Sequence, residues 1–180
     1  CADVTGVQTC ALPIYGSGYS VAKCDDYDES TYPTKIVIPD TYNNMPVTSI
    51  ESRAFYYCSS LTSVEIPNSV TGIGEHAFSG CSSLTSVEIP VSVESIEGFA
   101  FLDCRSLEQI IVSEANKVYC SVNNCLIKKS SKTLVVAGCK TSIIPSDGSV
   151  ASIGSRAFYN CGDLTSVMIP NSVTSIGELA

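Results

Sequence analysis

One internal repeat of 23 residues dominates this sequence and restricts the folds open to it. Cys58, Cys81 and Cys104 are 23 positions apart, and each lies in the pattern A-F-x-x-C-x-x-L with apolar residues following at fixed spacing. A further copy surrounds Cys161. A fixed period of this length is typical of a solenoid, because one coil cannot bury its own apolar face and neighbouring coils must stack. The repeat therefore predicts a repeat solenoid over residues 32–180.

The L-x-x-V-x-I-P part of the repeat predicts one short strand in each coil of about 23 residues. Val64 and Ile66 fall on one face of an extended segment, while Ser63 and Glu65 fall on the other. Pro67 ends the strand because proline has no backbone N–H to donate. The A-F-x-x-C part is too short for a stable helix. We therefore expect a β-rich solenoid of parallel strands joined by turns or short helical turns.

These motifs resemble the BspA-type leucine-rich repeat family, with its pattern I-G-x-x-A-F-x-x-C-x-x-L-x-x-V-x-I-P-x-x-V. The copies at 70–92 and 150–173 match it closely, and the resemblance covers about residues 32–180. Ser69 and Ser92 stand where the better-known leucine-rich repeat has asparagine, so no asparagine ladder is expected. The resemblance implies a secreted or cell-surface bacterial protein that adheres to host or neighbouring-cell proteins.

Two stretches depart from the 23-residue period. The surplus at Tyr42–Pro46 is expected to form a loop that bulges from the first coil. A larger surplus predicts an irregular insertion at about 113–140, in which Cys125–Ala137 alternates as a hairpin would. The frame begins once more near the end of the sequence, so we expect a solenoid truncated at its C-terminus: Ile176, Gly177 and Ala180.

The beginning of the sequence does not follow the repeat. Residues 4–14, VTGVQTCALPI, resemble the in-frame translation of a sequencing-library adapter. Residues 1–14 are therefore predicted to be non-native and to add no regular packed coil, with 15–31 as an N-terminal flank. The acidic cluster at 25–29 in this flank favours a solvated turn over a calcium loop, because a calcium loop needs a longer alternating ligand pattern with a glycine turn.

Charge and hydropathy exclude several classes of partner. The formal net charge is −8 with ten Lys and Arg, so the chain offers little counter-charge for nucleic acid. No apolar run approaches the roughly 20 residues of a membrane span, and no membrane insertion is expected. The segment Gly72–Gly74 belongs to the turn of the repeat, so no phosphate-binding cofactor loop is predicted.

The single histidine gives little support for catalysis. His76 occupies a slot that other copies fill with Arg53, Phe99 and Arg156, which is typical of a surface position. Without a histidine base there is no Ser-His or Cys-His nucleophile pair. We therefore predict no catalytic residues and no enzyme.

The cysteines of the repeat behave as small apolar residues in this interpretation. Neighbouring coils lie about 5 Å apart, which a disulfide could span, but parallel side chains in a ladder favour thiols. Cys120, Cys125 and Cys139 lack the paired C-x-x-C knuckles of a zinc site, so no metal is predicted, and one disulfide among them stays an alternative. Four cysteines share the core slot and are expected to be buried thiols: Cys58, Cys81, Cys104 and Cys161.

Side chains that alternate with the core positions form the candidate binding surface on the concave face of the solenoid. The predicted partner is a protein, such as a host matrix or cell-surface protein, and the resemblance implies an extracellular or cell-surface location. The alternative is a structural spacer in a larger surface protein whose functional domain lies outside this fragment. The candidate ligand-binding residues are Ser63, Glu65, Ser86, Glu88, Gln109, Ile111, Ser166 and Met168.

Overall fold

The computed structural model describes residues 9–14, 18–23 and 34–180. Within these ranges the secondary structure consists of strands, with no helix. The strands are β1 (Thr9–Ile14), β2 (Gly18–Lys23), β3 (Lys35–Val37), β4 (Thr41–Tyr42), β5 (Met45–Ile50), β6 (Ser63–Glu65), β7 (Gly72–Ile73), β8 (Ser86–Ile89), β9 (Ser95–Ile96), β10 (Gln109–Val112), β11 (Tyr119–Val122), β12 (Cys125–Lys128), β13 (Thr133–Ala137), β14 (Ser152–Ile153) and β15 (Ser175–Ile176).

The predicted solenoid is confirmed, because strands of successive coils pair in parallel at the spacing of the repeat. Ser63, Ser86 and Gln109 are register partners in the four-stranded sheet β10-β8-β6-β3. In a second sheet β5, β7 and β9 pair in parallel, with Ile50 in register with the equivalent isoleucines of the next two coils. On its other side β5 pairs with β2. Each regular coil thus contributes one strand to each of two sheets.

The A-F-x-x-C stretch forms the corner of each coil as a turn rather than a helical turn. The N–H groups of Arg53, Phe55 and Tyr57 donate to carbonyls 22 residues further along, at 3.0, 2.8 and 2.8 Å. These bonds join neighbouring coils. The N–H groups between them, such as that of Tyr56, donate three residues back within the same coil, so the corner is a run of turns and not an α-helix. Arg53 and Tyr57 have φ of 59° and 57°, so the corner passes twice through the left-handed region.

At Gly74, between the two sheets, the backbone of the preceding coil leaves little room for a side chain. A Cβ on Gly74 would lie 2.6 Å from the backbone nitrogen of Ser52 and 2.8 Å from the carbonyl carbon of Glu51. The Gly74 N–H instead donates to the Ile50 carbonyl at 2.8 Å. Glycine therefore permits this close approach at position 74, whereas Glu51 and Glu97 occupy the same slot in the neighbouring coils.

The core is a stack of identical side chains in the regular coils. The rings of Phe55 and Phe78 lie 5.2 Å apart, and those of Phe78 and Phe101 lie 5.4 Å apart, nearly parallel in both cases. In the coil with the insertion, Ala137 takes the place of the phenylalanine of the repeat. Its N–H donates to the next coil, as the N–H of Phe55 does. An alanine thus interrupts the ring stack. The buried residues form two clusters, and the smaller one includes Leu134 and Ala137 of this coil.

The stretch at about 113–140 contains a three-stranded antiparallel meander, β11-β12-β13, one strand more than the single expected hairpin. β13 then continues in parallel with β14 and β15, so the meander returns the chain to the solenoid. The stretch at Tyr42–Pro46 is a tight hairpin in which β4 pairs with β5. Its tip is formed by Asn43 and Asn44, whose φ values are 49° and 61°.

Residues 1–14 were expected to add no regular packed coil of the solenoid, and within them Thr9–Ile14 is a strand. This segment forms β1, which pairs antiparallel with β2 over its whole length. The edge of β2 carries backbone groups that an extended segment can pair with, whatever its side chains. The adapter origin of this segment stays a prediction. The acidic cluster at 25–29 lies outside the described residues.

Candidate functional site

The outer face of the four-stranded sheet is built by strict alternation of buried and exposed side chains. Val64 and Val87 are buried against the core. Glu65 and Glu88, which follow them, are exposed. Six of the eight predicted binding residues lie on this face. Ser63 and Ser86 are half-buried there, while Gln109 is exposed.

The most exposed positions of this face line up from coil to coil. Val37 is the register partner of Glu65, and Glu88 is the register partner of Ile111. Glu65 and Glu88 follow the paired residues Val64 and Val87, and therefore neighbour each other on β6 and β8.

The other two predicted residues, Ser166 and Met168, lie outside the four-stranded sheet. Met168 forms an isolated parallel bridge with Ile143, and its N–H donates to the Ser142 carbonyl at 2.9 Å. Ile143 was missed by sequence reasoning because the insertion shifts it out of the 23-residue period. The ending Ile144-Pro145, which repeats the I-P of the other strands, was the available signal.

Ile143 occupies the same position in its coil as Ile111 does in the preceding one. Lys140, three residues before Ile143, forms an ion pair with Glu108, three residues before Ile111. The exposed positions therefore continue through all six coils. We call this set the outer row: Val37, Glu65, Glu88, Ile111, Ile143 and Met168.

The chemistry of the outer row changes along the solenoid. Lys35 Nζ lies 2.5 Å from Glu65 Oε1, and both side chains are more than half exposed, so this pair contributes little stability. Among the described residues Glu88 has no ion-pair partner. Beyond it the row is apolar and open to solvent, with Ile111 45% exposed, Ile143 56% and Met168 70%.

The corners carry a second row of side chains, in which the single histidine is packed rather than free. The His76 ring lies 5.4 Å from the Phe99 ring and 6.1 Å from the Tyr56 ring. Its Nε2 is 3.9 Å from Glu75 Oε1, and its Nδ1 is buried without a hydrogen-bond partner. The expected surface position is thus partly covered by aromatic neighbours.

At the insertion the corners of two non-adjacent coils meet. The Arg156 guanidinium lies 4.6 Å from the centroid of the Phe99 ring. Asn160 Nδ2 donates to Asp103 Oδ1 at 2.7 Å, 57 residues away in sequence. Hydrogen bonds from Arg105 hold the pKa of the Asp103 carboxyl below its usual range. These contacts join the corners of the two coils on either side of the coil with the insertion.

The core cysteines form a ladder of thiols. Cys81 Sγ donates to the Phe55 carbonyl, and Cys104 Sγ to the Phe78 carbonyl, both at 3.2 Å. A hydrogen bond with Cys58 and burial both raise the pKa of the Cys81 thiol. Burial likewise raises the pKa of Cys104. These thiols therefore stay protonated, as expected of small core residues.

Cys161 departs from the expectation of a buried core thiol, because it is half-buried. Its thiol forms a hydrogen bond with Cys139, which raises the pKa of Cys161 and lowers that of Cys139. Cys139 Sγ also lies 3.6 Å from the Cys104 carbonyl oxygen. Cys120 and Cys125 are also thiols.

Neither metal ligation nor a membrane span is found in the part of the chain that the structure describes. No group of three or more His, Cys, Asp or Glu side chains there is placed to hold a metal ion. No helix in those ranges is long and apolar enough to cross a bilayer.

Solved structures of bacterial proteins resemble this chain. A leucine rich cell surface protein of Faecalibacterium prausnitzii A2-165 is 34% identical, with a TM-score of 0.69, and the match covers 83% of this chain and 40% of that protein. A leucine rich repeat protein of T. pallidum is 28% identical, with a TM-score of 0.55, over 96% of this chain and 62% of that one. The pneumococcal vaccine antigen PcpA, at 17% identity and a TM-score of 0.63 over 96% of this chain and 65% of that one, shares the fold.

The chain thus spans less than two thirds of the length of these solved relatives. No curated protein matches it. Its residues 27–136 match six copies of the BspA type leucine rich repeat region, which is more than half of the sequence. With the repeat, the stacked sheets and these relatives in agreement, the chain belongs to the BspA-type leucine-rich repeat family.

Proposed function

We propose that this chain is a non-catalytic, protein-binding module of an extracellular or cell-surface protein, and that its partner docks on the outer row. The observation that carries the proposal is the apolar half of the row. Ile111, Ile143 and Met168 are exposed at equivalent positions of three successive coils. Exposed apolar side chains in one stripe are where protein partners gain affinity.

A protein fits this surface better than a carbohydrate or a nucleic acid. The aromatic side chains that could stack on a sugar or a base, such as Tyr57 and Tyr159, lie at the corners and not on the sheet face. Glu88 supplies a carboxylate beside the apolar stripe that could receive a basic side chain of the partner. The surface location is supported by the F. prausnitzii relative, which is described as a cell surface protein.

The test compares two identical substitutions at equally exposed isoleucines. Ile143 belongs to the outer row, whereas Ile176 belongs to β15 in another sheet, and they are 56% and 57% exposed. The full chain is immobilised, proteins of cell-surface and matrix extracts are captured and identified, and the affinity of each purified partner is measured for Ile143→Ser and Ile176→Ser. We expect Ile143→Ser to weaken binding roughly 30-fold, the loss of about 2 kcal/mol typical of a hot spot, and Ile176→Ser to leave binding unchanged.

Equal affinity of the two variants would show that the outer row is not the docking site. Addition of Glu88→Lys to the wild-type chain tests the charged half separately. If the chain captures no protein from either extract, the spacer function is the better account, and this proposal is wrong.

A further inference from the structure

One end of the meander β11-β12-β13 gathers four lysines. Lys128 ends β12, Lys129 follows it, and Lys132 directly precedes β13. Lys117 joins them from the neighbouring strand, because the backbone N–H and the Nζ of Lys129 donate to the carbonyls of the residues on either side of it. Neighbouring strands lie about 4.8 Å apart, so the backbones of these residues fall within roughly 10 Å of one another. All four side chains are exposed, and we call them the lysine patch.

The lysine patch differs from the other cationic side chains in having no counter-charge. Five other Lys and Arg side chains have a carboxylate or an aromatic ring as partner: Lys35, Arg53, Arg105, Lys140 and Arg156. No member of the patch has a partner of either kind within residues 34–180. The ammonium of Lys129 is held by a neutral carbonyl, so its position is fixed while its charge is uncompensated.

The surroundings do not neutralise this charge. Residues 113–132 contain four lysines and one acidic residue, Glu114, a net charge of +3 in a chain that carries −8, so the rest of the chain carries −11. Hydrogen bonds from Ser149, and to a lesser extent the charge of Lys132, lower the pKa of the Asp147 carboxyl. Asp147 nevertheless forms no ion pair with a lysine of the patch. The patch is therefore a local positive surface on an acidic molecule.

We propose that the lysine patch binds a sulfated polysaccharide of the extracellular matrix. Four ammonium groups this close together are best neutralised by a ligand that carries several anionic groups along a short length. A folded protein seldom places four carboxylates at that spacing, because like charges repel each other. A sulfated polysaccharide carries its sulfates covalently along one chain, and the ammonium is a point charge that accepts any orientation of the sulfate oxygens.

Charge and not stacking holds this ligand. Tyr119 is the one aromatic residue within 113–132, and it is buried. Single-stranded nucleic acid needs exposed rings on which its bases stack, and a duplex extending beyond the patch would meet the acidic rest of the chain. A flexible polysaccharide segment contacts the patch alone. The extracellular location proposed above brings the chain within reach of such polymers, but this binding does not depend on the outer row.

The experiment measures the affinity of the full chain for heparin, as the sulfated probe, and for unsulfated hyaluronan at several salt concentrations. Two double variants with the same net charge are compared. Lys128→Gln with Lys132→Gln removes half of the patch, and Lys129 is kept because it bonds to the backbone. Lys35→Gln with Lys140→Gln removes two exposed lysines outside the patch, whose surface ion pairs contribute little stability.

We expect the affinity for heparin to fall steeply with salt, with a slope that reflects roughly one released counterion for each lysine engaged. The patch variant should bind at least tenfold more weakly than the wild-type chain and show about half of its slope. The control variant should stay within twofold of the wild-type affinity. Hyaluronan should bind the wild-type chain at least tenfold more weakly than heparin, because it lacks sulfates.

Equal losses in the two double variants, equal affinity for heparin and hyaluronan, or no binding of heparin at low salt would overturn the proposal. So would binding of an acidic protein, or of vesicles containing phosphatidylglycerol, through the patch without binding of heparin, because the ligand would then belong to another class. Circular dichroism checks that each variant is folded. If the patch variant does not fold, the salt slope and the ratio of heparin to hyaluronan affinity of the wild-type chain still decide.

Discussion

Each cysteine of the ladder shows how its surroundings set the behaviour of one side chain. In the regular coils the thiol is a small core group that donates to a carbonyl of the preceding coil, as Cys81 does to Phe55. At Cys161 the same slot is less covered, and the thiol partner is another thiol, Cys139. The residue type is constant, and only its surroundings differ.

Cys125 provides a pH prediction at this scale. Burial raises the pKa of its thiol to about 12, whereas an unfolded cysteine has a pKa of about 8.5. Above the unfolded value the unfolded chain releases a proton that the folded chain keeps, so folding stability falls as pH rises. Below it both states are protonated and no dependence remains.

The measurement is urea unfolding of the wild-type chain and of Cys125→Ala at pH 7, 8, 9 and 9.5. Other thiols, tyrosines and lysines titrate in both proteins, so only the difference between the two is interpreted. We expect the advantage of the wild-type chain to shrink between pH 8 and 9.5. A difference that stays constant would show that Cys125 is not held protonated by the fold.

At the scale of elements, the buried side chain of Asn116 helps to join the meander to the regular coils. Asn116 Nδ2 donates to the Pro90 carbonyl at 2.8 Å and to the Val93 carbonyl at 3.0 Å. Its Oδ1 accepts from the N–H groups of Val118 and Tyr119, at 2.9 and 2.8 Å. The amide thus satisfies two carbonyls of one coil and two N–H groups of the chain entering β11.

Asn116→Ala should therefore cost about 3 kcal/mol of folding stability, because four backbone groups lose their partner in a buried place. Asn68→Ala is the control, since Asn68 is exposed and should change stability by no more than ~0.5 kcal/mol. Both are measured by chemical denaturation. If Asn116→Ala is as stable as Asn68→Ala, the meander does not depend on this amide.

What the sequence could predict at this scale follows from the range of the interactions. Glu65 and Glu88 were placed on the outer face because alternation within a strand and a fixed period between strands determine their position. Asn116 and Ile143 were not found, because their partners lie in other coils and the insertion removes the period that relates them. The strand at Thr9–Ile14 was not predicted, because an open strand edge pairs with backbone, which side-chain patterns do not report.

At the scale of the whole molecule, the interrupted ring stack divides the solenoid into two packing units. The larger cluster contains the stacked rings of Phe55, Phe78 and Phe101, and the smaller one contains buried residues of the coil with the insertion and of the coil after it. In a solenoid each coil is stabilised chiefly by its neighbours, so a weak interface lets one part open before the other. The unit after the insertion should open first.

Three glycine amides allow this order of opening to be measured at matched sites. Gly74, Gly154 and Gly177 each donate to the carbonyl of the preceding coil at 2.8 Å. Gly74 and Gly177 both lie between Ile and Glu, so their intrinsic exchange rates are nearly equal. The isoleucine before Gly74 is completely buried and the one before Gly154 nearly so, whereas the one before Gly177 is 57% exposed. By native-state hydrogen exchange we expect Gly74 to exchange most slowly, Gly154 roughly tenfold faster or more, and Gly177 fastest. Equal protection of Gly74 and Gly154 would mean that the two clusters open together, and that the insertion does not weaken the coupling between them.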